Sequence, residues 1–264
     1  MSEQQLSVTE LGSAGPRVVF LHGLFGQGKN FQTIARGLEP EWRSLLVDLP
    51  DHGDSPWTEH VDYPAMADEV ERAVRARLAE GEKVHVVGHS MGGKVAMLLA
   101  LRHPELVDHL VIVDIAPAAG GSTGEFEHLL GALAGLDLAT LGSRAEADAA
   151  LAGPITNPTV RGFLLQNLRR TEDGGWRWRA NLELLRAELD AVAGFPDVDG
   201  ASFDGPVLWV AGARSDYVRP EHVEPMRALF PRTRQLTVKD SGHWVHSEQP
   251  EVFTQALRVF LAAD

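Results

Sequence analysis

Gly88-His89-Ser90-Met91-Gly92 carries the pattern G-x-S-x-G. The apolar run Val84-His85-Val86-Val87 stops just before it, and a helical stretch, Gly93 to Arg102, starts just after. A serine on such a strand-to-helix turn sits in strained backbone with crowded neighbours. Gly88 and Gly92 remove the side chains that would clash there. The turn lifts the Ser90 hydroxyl off the sheet and leaves the Met91 N–H at a helix start, where it can face an oxyanion. The chemistry expected is acyl transfer with Ser90 as nucleophile.

Acyl transfer needs a second amide for the oxyanion, usually from a loop beside the turn. His22-Gly23-Leu24-Phe25-Gly26 follows the first clear apolar strand, so Leu24 is the expected donor and Phe25 the near alternative. The same stretch imitates a phosphate loop, because Gly23 to Lys29 fits G-x-x-x-x-G-K. Asn30 then stands where that motif needs Ser or Thr for magnesium, which argues against a nucleotide.

A serine hydroxyl is a weak nucleophile and needs a base. Of 11 histidines, His243 in Ser241-Gly242-His243-Trp244 lies past the last strand and before the C-terminal helix. Loops there sit at the carboxyl edge of a parallel sheet, where ligand sites form. His89 lies inside the turn and is expected to point elsewhere, and His246 to support the loop. A histidine base predicts activity that falls toward acid pH. The third member is a carboxylate that orients the imidazole. Asp114 directly follows Val111-Ile112-Val113; Asp216 follows the strand ending at Val210 but falls one place late for Gly-x-x-Asp, with Ser215 in the expected place. Both remain candidates on spacing alone.

The elements that must hold these groups are short. Val18–Leu21, Leu45–Val47, Val84–Val87, Leu110–Val113, Val207–Val210 and Arg234–Val238 read as strands, alternating with helical stretches such as Tyr63 to Leu78 and Glu251 to Leu261. That rhythm implies an α/β fold with a mostly parallel central sheet flanked by helices. It breaks after Pro117. From about Ala118 to Asp204 the chain shows helical periodicity and no clear strand, opening on Gly120-Gly121-Ser122. Its helices are expected at Leu129 to Leu138, Arg144 to Leu151, Val160 to Leu168 and Asn181 to Val192. The expected organisation is a core of residues 1–117 and 205–264 with a helical cap, 118–204, inserted in it. Leu129, Leu130, Leu133, Phe163, Leu164, Leu165 and Leu168 are expected mostly to pack the cap onto the core. Arg169 and Arg170 are expected at a solvated helix end, with an anionic leaving group such as coenzyme A as the other reading.

Five segments together resemble the small serine esterases of the α/β-hydrolase superfamily: His22 to Gly26, Asp48-Leu49-Pro50 to Ser55, Gly88 to Lys94, Val113 to Pro117 and Gly242 to His246. The likeness is to the compact branch of short-chain acyl esterases, thioesterases and related mitochondrial hydrolases, and it thins across the cap. The resemblance implies that the Asp of a Val-Asp-Ile-x-Pro segment is the acid, which favours Asp114 over Asp216. Asp51 departs from the Gly that many relatives carry at this place. The implied activity is a carboxylesterase-type serine hydrolase, acting on short- to medium-chain acyl esters, with acyl thioesters as a variant. A cofactor-free perhydrolase, a C–C hydrolase, a lipase and a non-catalytic small-molecule receptor share the fold and stay open. Dehalogenases and epoxide hydrolases need an Asp nucleophile and are excluded by Ser90.

Bulk properties set outer bounds. A chain of 264 residues suits one α/β domain. Its net charge of −13 argues against nucleic-acid or anionic-membrane partners. With no cysteine, disulfides, a thiol nucleophile and thiolate metal sites are excluded, and a cytoplasmic location is expected. Met1 to Gln5 lacks the basic and apolar regions of a signal peptide, and no apolar run approaches the roughly 18 residues of a membrane span. No organic cofactor or metal is required by the expected chemistry.

Overall fold

The central strands are buried on both faces, and their residues divide between two apolar layers. In β2 (Arg17–Leu21), Val18 and Phe20 join the layer that contains Phe31, Ile34 and Leu38 of the first helical region; Val19 and Leu21 join the other. Such strands read as continuous apolar runs because helices cover both faces. The computed structural model describes residues 5–118, 123–198 and 200–263. The expected opening of the insertion, Gly120-Gly121-Ser122, lies outside the described residues, as does most of the N-terminal segment Met1 to Gln5.

The chain begins with β1 (Val8–Leu11), β2, α1 (Gln32–Leu38), β3 (Arg43–Val47), α2 (Tyr63–Arg75), β4 (Val84–His89), α3 (Met91–Arg102) and β5 (Val107–Val113). An excursion follows: α4 (Gly124–Ala134), α5 (Arg144–Leu151), α6 (Pro158–Leu164), β6 (Leu168–Arg170), β7 (Trp176–Trp178), α7 (Leu182–Ala187) and α8 (Leu189–Ala193). The chain then completes β8 (Val207–Gly212), α9 (Val223–Leu229), β9 (Thr233–Val238), α10 (Val245–Glu248) and α11 (Pro250–Leu261).

The main sheet has seven strands in the order β1-β3-β2-β4-β5-β8-β9. Only β1 runs antiparallel to its neighbour. On one face, α2 presents Met66, Val70 and Val74 at helical spacing; Asp62 caps it by accepting the Ala65 N–H, and Pro64 occupies its first turn. On the other face, α11 buries Phe253, Leu257, Phe260 and Leu261 beside α1.

Three expectations need correction. The excursion is not free of strand, because β6 and β7 form an antiparallel pair outside the main sheet. Arg169 and Arg170 therefore lie on a strand and not at a helix end. Arg169 pairs with Asp54, and Arg170 lies over the Trp176 ring at 5.4 Å. The helix expected over Asn181 to Val192 is two helices that break at Glu188, whose carboxylate leaves the helical path to accept the Val61 N–H at 2.6 Å. Among the described residues no helix is long and apolar enough to cross a membrane.

Candidate active site

β4 delivers Ser90. The strand ends at His89, α3 starts at Met91, and Ser90 between them has φ 51 and ψ −118. That left-handed region costs a non-glycine residue about 1–3 kcal/mol and persists only where neighbours enforce it. Here the Ser90 N–H donates to Val113 O at 3.0 Å, and the Gly93 N–H donates to Ser90 O at 2.8 Å. The flanking glycines permit the bend: a Cβ on Gly88 would lie 2.3 Å from Gly92 O, and one on Gly92 would lie 2.3 Å from Leu21 O.

β5 delivers Asp114, which is fully buried and also has a positive φ, of 52. Its Oδ1 accepts the Gly212 N–H at 3.0 Å, and its Oδ2 accepts the Ser215 hydroxyl and His243 Nδ1–H, the latter at 2.8 Å. The ring contact uses Nδ1, so Nε2 is the nitrogen left to exchange a proton with a substrate or hydroxyl. Tyr217 stacks on the His243 ring at 4.1 Å. Asp216 is exposed and bonds locally with Arg219, away from His243. Ser215, which stands where an acid was expected, donates its hydroxyl to Asp114 instead.

Ser90 and His243 line one apolar cavity of about 80 Å³ with Phe25, Leu129, Phe163 and Trp244. A larger cavity of about 280 Å³ shares Leu24, Ser90 and Tyr217 with the first and is bounded further by Lys94, Ile115, Leu189 and Val192. Of the seven apolar residues expected to pack the excursion, only Leu129 and Phe163 line the smaller cavity; the other five are buried in the apolar layer.

Leu24 and Met91 both line the larger cavity with Ser90. The Phe25 N–H is already engaged, donating to His52 Nε2 at 3.3 Å. The loop that carries them is held by two buried histidines. His22 Nδ1–H donates to Gly23 O at 2.8 Å while Nε2 accepts the Leu49 N–H at 3.0 Å. His52 Nδ1–H donates to Pro50 O at 2.9 Å. Each ring thus holds one proton, and burial keeps it neutral: the His22 pKa falls to about 3, and that of His52 is also lowered. The phosphate-loop reading finds no support, since the Gly28 N–H points at the Asp48 carboxylate, 2.7 Å away.

Three features were not visible in the sequence. His89 does not point away: its Nε2–H donates to His243 O at 2.9 Å, and its ring packs on those of His243 and His246, both with centroids at 4.7 Å. Burial drives the His89 pKa well down and that of His246 to about 3. Asp51 has φ 64, a conformation suited to glycine, and its carboxylate accepts Thr58 N–H, Thr58 O–H and Asn181 Nδ2–H. It therefore ties the loop to the excursion. Lys94, buried beside the larger cavity, donates Nζ–H bonds to the carbonyls of Val192, Ala193 and Gly194 at 2.7–2.9 Å; burial lowers its pKa to about 7. Apart from Thr58, seven positions from Asp51, these hydrogen-bond partners are 98 to 154 positions apart, and no residue pattern along the chain marks them.

The fold is that of a hydrolase, and proteins of similar sequence and structure agree. The family profile described as alpha/beta hydrolase fold matches residues 16–250. The chain belongs to that family. It is 39% identical over 254 residues to the sn-1-specific diacylglycerol lipase ABHD11 of Mus musculus, covering 94% of this chain and 81% of that one. It is 31% identical to Esterase YbfF of Escherichia coli strain K12, covering 92% of each. Among solved structures, a marine microorganism esterase matches with a TM-score of 0.93 at 30% identity, over 98% of this chain and 100% of that chain.

Proposed function

We propose that Ser90, His243 and Asp114 carry out the ester hydrolysis that defines this enzyme, through an acyl-enzyme on Ser90. His243 Nε2 takes the Ser90 proton as Oγ attacks the carbonyl carbon, and Asp114 stabilises the imidazolium through Nδ1–H. The Leu24 and Met91 amides hold the tetrahedral oxyanion; the engagement of the Phe25 amide by His52 supports Leu24 as the loop's donor. His243 then gives the proton to the leaving alkoxide, and water activated by the same imidazole releases the acid. The observation that carries the reading is the 2.8 Å bond from His243 to a wholly buried carboxylate, beside a cavity shared with a strained serine.

The cavities support a division of the substrate. A leaving oxygen must lie within reach of His243, and His243 lines the cavity of about 80 Å³, so that side takes the alcohol. The cavity of about 280 Å³ takes the acyl group. Residues 118–204 act as a cap that supplies Leu129, Phe163, Leu189 and Val192 to these walls. This favours short- to medium-chain acyl esters of small alcohols, and acyl thioesters fit the same chemistry less well on the small side.

The test is turnover of p-nitrophenyl butyrate and of methyl butyrate by the wild type and Ser90→Ala. Loss of about 10⁴-fold or more in kcat, with loss of labelling by a fluorophosphonate, is expected. Full turnover in the variant would remove Ser90 from the mechanism.

A further inference from the structure

At the opposite end of β4 from Ser90, a second group of histidines and a carboxylate converges. The pairing of β4 with β5 runs Val84 with Val107 and then Val86 with Leu110. One residue, His85, thus opposes two, Asp108 and His109. Successive residues of a regular strand point to opposite faces. A bulge breaks that alternation and re-aims a side chain. Here it brings ligand atoms of all three residues within 4.8 Å of one another.

The hydrogen-bond roles leave this cluster one positive charge short. His109 Nε2 faces Ala263 O at 3.1 Å. A carbonyl only accepts, so Nε2 carries the proton, and in a neutral ring Nδ1 presents a lone pair. That Nδ1 lies 3.0 Å from Asp108 Oδ2, also an acceptor. Two lone pairs at that distance require a proton or a cation between them. A second proton on His109 would satisfy this pair alone. It would leave His85 Nδ1, which is buried, aimed at the same oxygen from 3.4 Å and without a hydrogen-bond partner. A cation bound by all three satisfies every atom.

We propose that His85 Nδ1, Asp108 Oδ2 and His109 Nδ1 bind one divalent transition-metal ion of the zinc class. Two imidazoles and one carboxylate suit zinc, and a tetrahedral site with bonds of about 2.0–2.1 Å places its ligand atoms about 3.3 Å apart. The two nitrogen–oxygen separations, 3.0 and 3.4 Å, bracket that value, and the two nitrogens lie within 4.8 Å of each other. The Asp108 side chain is half-exposed, which gives the hydrated ion a route in and leaves a fourth position for water. The Ala263 carbonyl orients His109 in the way that outer partners commonly orient metal-bound histidines. Five residues at about 3.3 Å each separate His85 from Ser90 along the chain, so the ion sits about 16 Å from the nucleophile. Its role is structural: through His109 and the Ala263 carbonyl it joins the starts of β4 and β5 to the segment after α11, and the His109 ring also packs on Phe260 of α11 itself.

Chelator-treated protein is titrated with Zn²⁺ by calorimetry, and Tm is followed in parallel. One ion per chain and a raised Tm are expected. Asp108→Asn, at a half-exposed position that tolerates the change, and His109→Gln are each expected to weaken Zn²⁺ binding at least tenfold. His243→Gln is expected to leave it unchanged. Co²⁺ in place of Zn²⁺ is expected to give the visible absorption of a four-coordinate site in the wild type, and not in Asp108→Asn. Absence of stoichiometric binding would overturn the proposal. So would binding that survives both Asp108→Asn and His109→Gln, or binding lost in His243→Gln.

Discussion

A histidine–aspartate pair sits at each end of the central strands, and the two are built in opposite senses. At the carboxyl end, His243 points Nδ1 at Asp114, a wholly buried carboxylate that also accepts the Gly212 N–H and the Ser215 O–H. At the amino end, His109 spends Nε2 on a carbonyl and turns Nδ1 to Asp108, a half-exposed carboxylate. Among the described residues, Asp108 meets no side-chain or backbone donor beyond the two imidazoles. The first carboxylate is saturated with protein donors and fixes one imidazole with its other nitrogen facing a cavity. The second is under-supplied and faces two nitrogens at once. In the mechanism and the cation site proposed above, similar residue types therefore take proton transfer at one edge and cation binding at the other. What separates the two is the number of protein donors on each carboxylate, together with the backbone carbonyl that claims Nε2 of His109 and has no counterpart among the bonds of His243.

The largest separation between the two should come from matching substitutions. Asp114→Asn is expected to lower kcat by about 10⁴-fold, because the amide either misorients His243 or stabilises its wrong tautomer. Asp108→Asn and Asp216→Asn should each stay within about twofold of wild type toward p-nitrophenyl butyrate. A large loss in Asp108→Asn would erase the functional contrast between the two ends. Full activity in Asp114→Asn would send the search for the acid back to Asp216.

Parts of this contrast were legible in the linear chain and parts were not. Ser90 stands in a five-residue pattern between an apolar strand and a helix, and the central strands are apolar runs closed by turn residues, so both are local signals. Asp114 and His243 could be singled out as strand-end and loop residues, but spacing alone left Asp216 open. The discriminating contact spans 129 positions. β1 has no such signal because this four-residue edge strand carries only Val8 and Leu11 as apolar residues, with exposed Thr9 and Glu10 between them. β6 and β7 went unseen because three residues are too few to set a period. The His85–Asp108–His109 group depends on a bulge in the pairing, which appears only when two strands are laid side by side.

A second way to sharpen the contrast uses acid. The carboxyl end of the sheet is crowded with buried neutral histidines: His22 and His246 with pKa values pushed down to about 3, and His52 and His89 also lowered. Burial disfavours the charged ring in each. The unfolded chain binds these protons near pH 6.5 and the folded chain does not, so stability rises with pH between about 3 and 6.5. The stabilisation is complete above pH 6.5 and is lost as pH falls toward 3. Each histidine still neutral in the fold contributes up to about 1.4 kcal/mol per pH unit. Urea unfolding at stepped pH should show this decline, and His246→Phe, which fills the same apolar niche beside Phe31 and Phe253, should flatten it. An identical slope in that variant would remove His246 from the account.

The finest test moves one carboxylate a step toward the other. Ser215→Ala deletes the hydroxyl that donates to Asp114 and leaves the Gly212 N–H and His243 in place. Hydrogen bonds to charged groups contribute about 1.5–3 kcal/mol, so kcat should fall about tenfold to a hundredfold with KM nearly unchanged. The direction follows from what the hydroxyl does. It holds Asp114 Oδ2 in line with His243 Nδ1, and its own oxygen accepts the Tyr217 N–H, which sets the ring stacked on His243. Without it the carboxylate can rotate, and the imidazole loses both its partner's alignment and its stacked support. An unchanged kcat would mean that the Gly212 amide alone fixes Asp114. Donor number would then not be what distinguishes the two ends of the sheet.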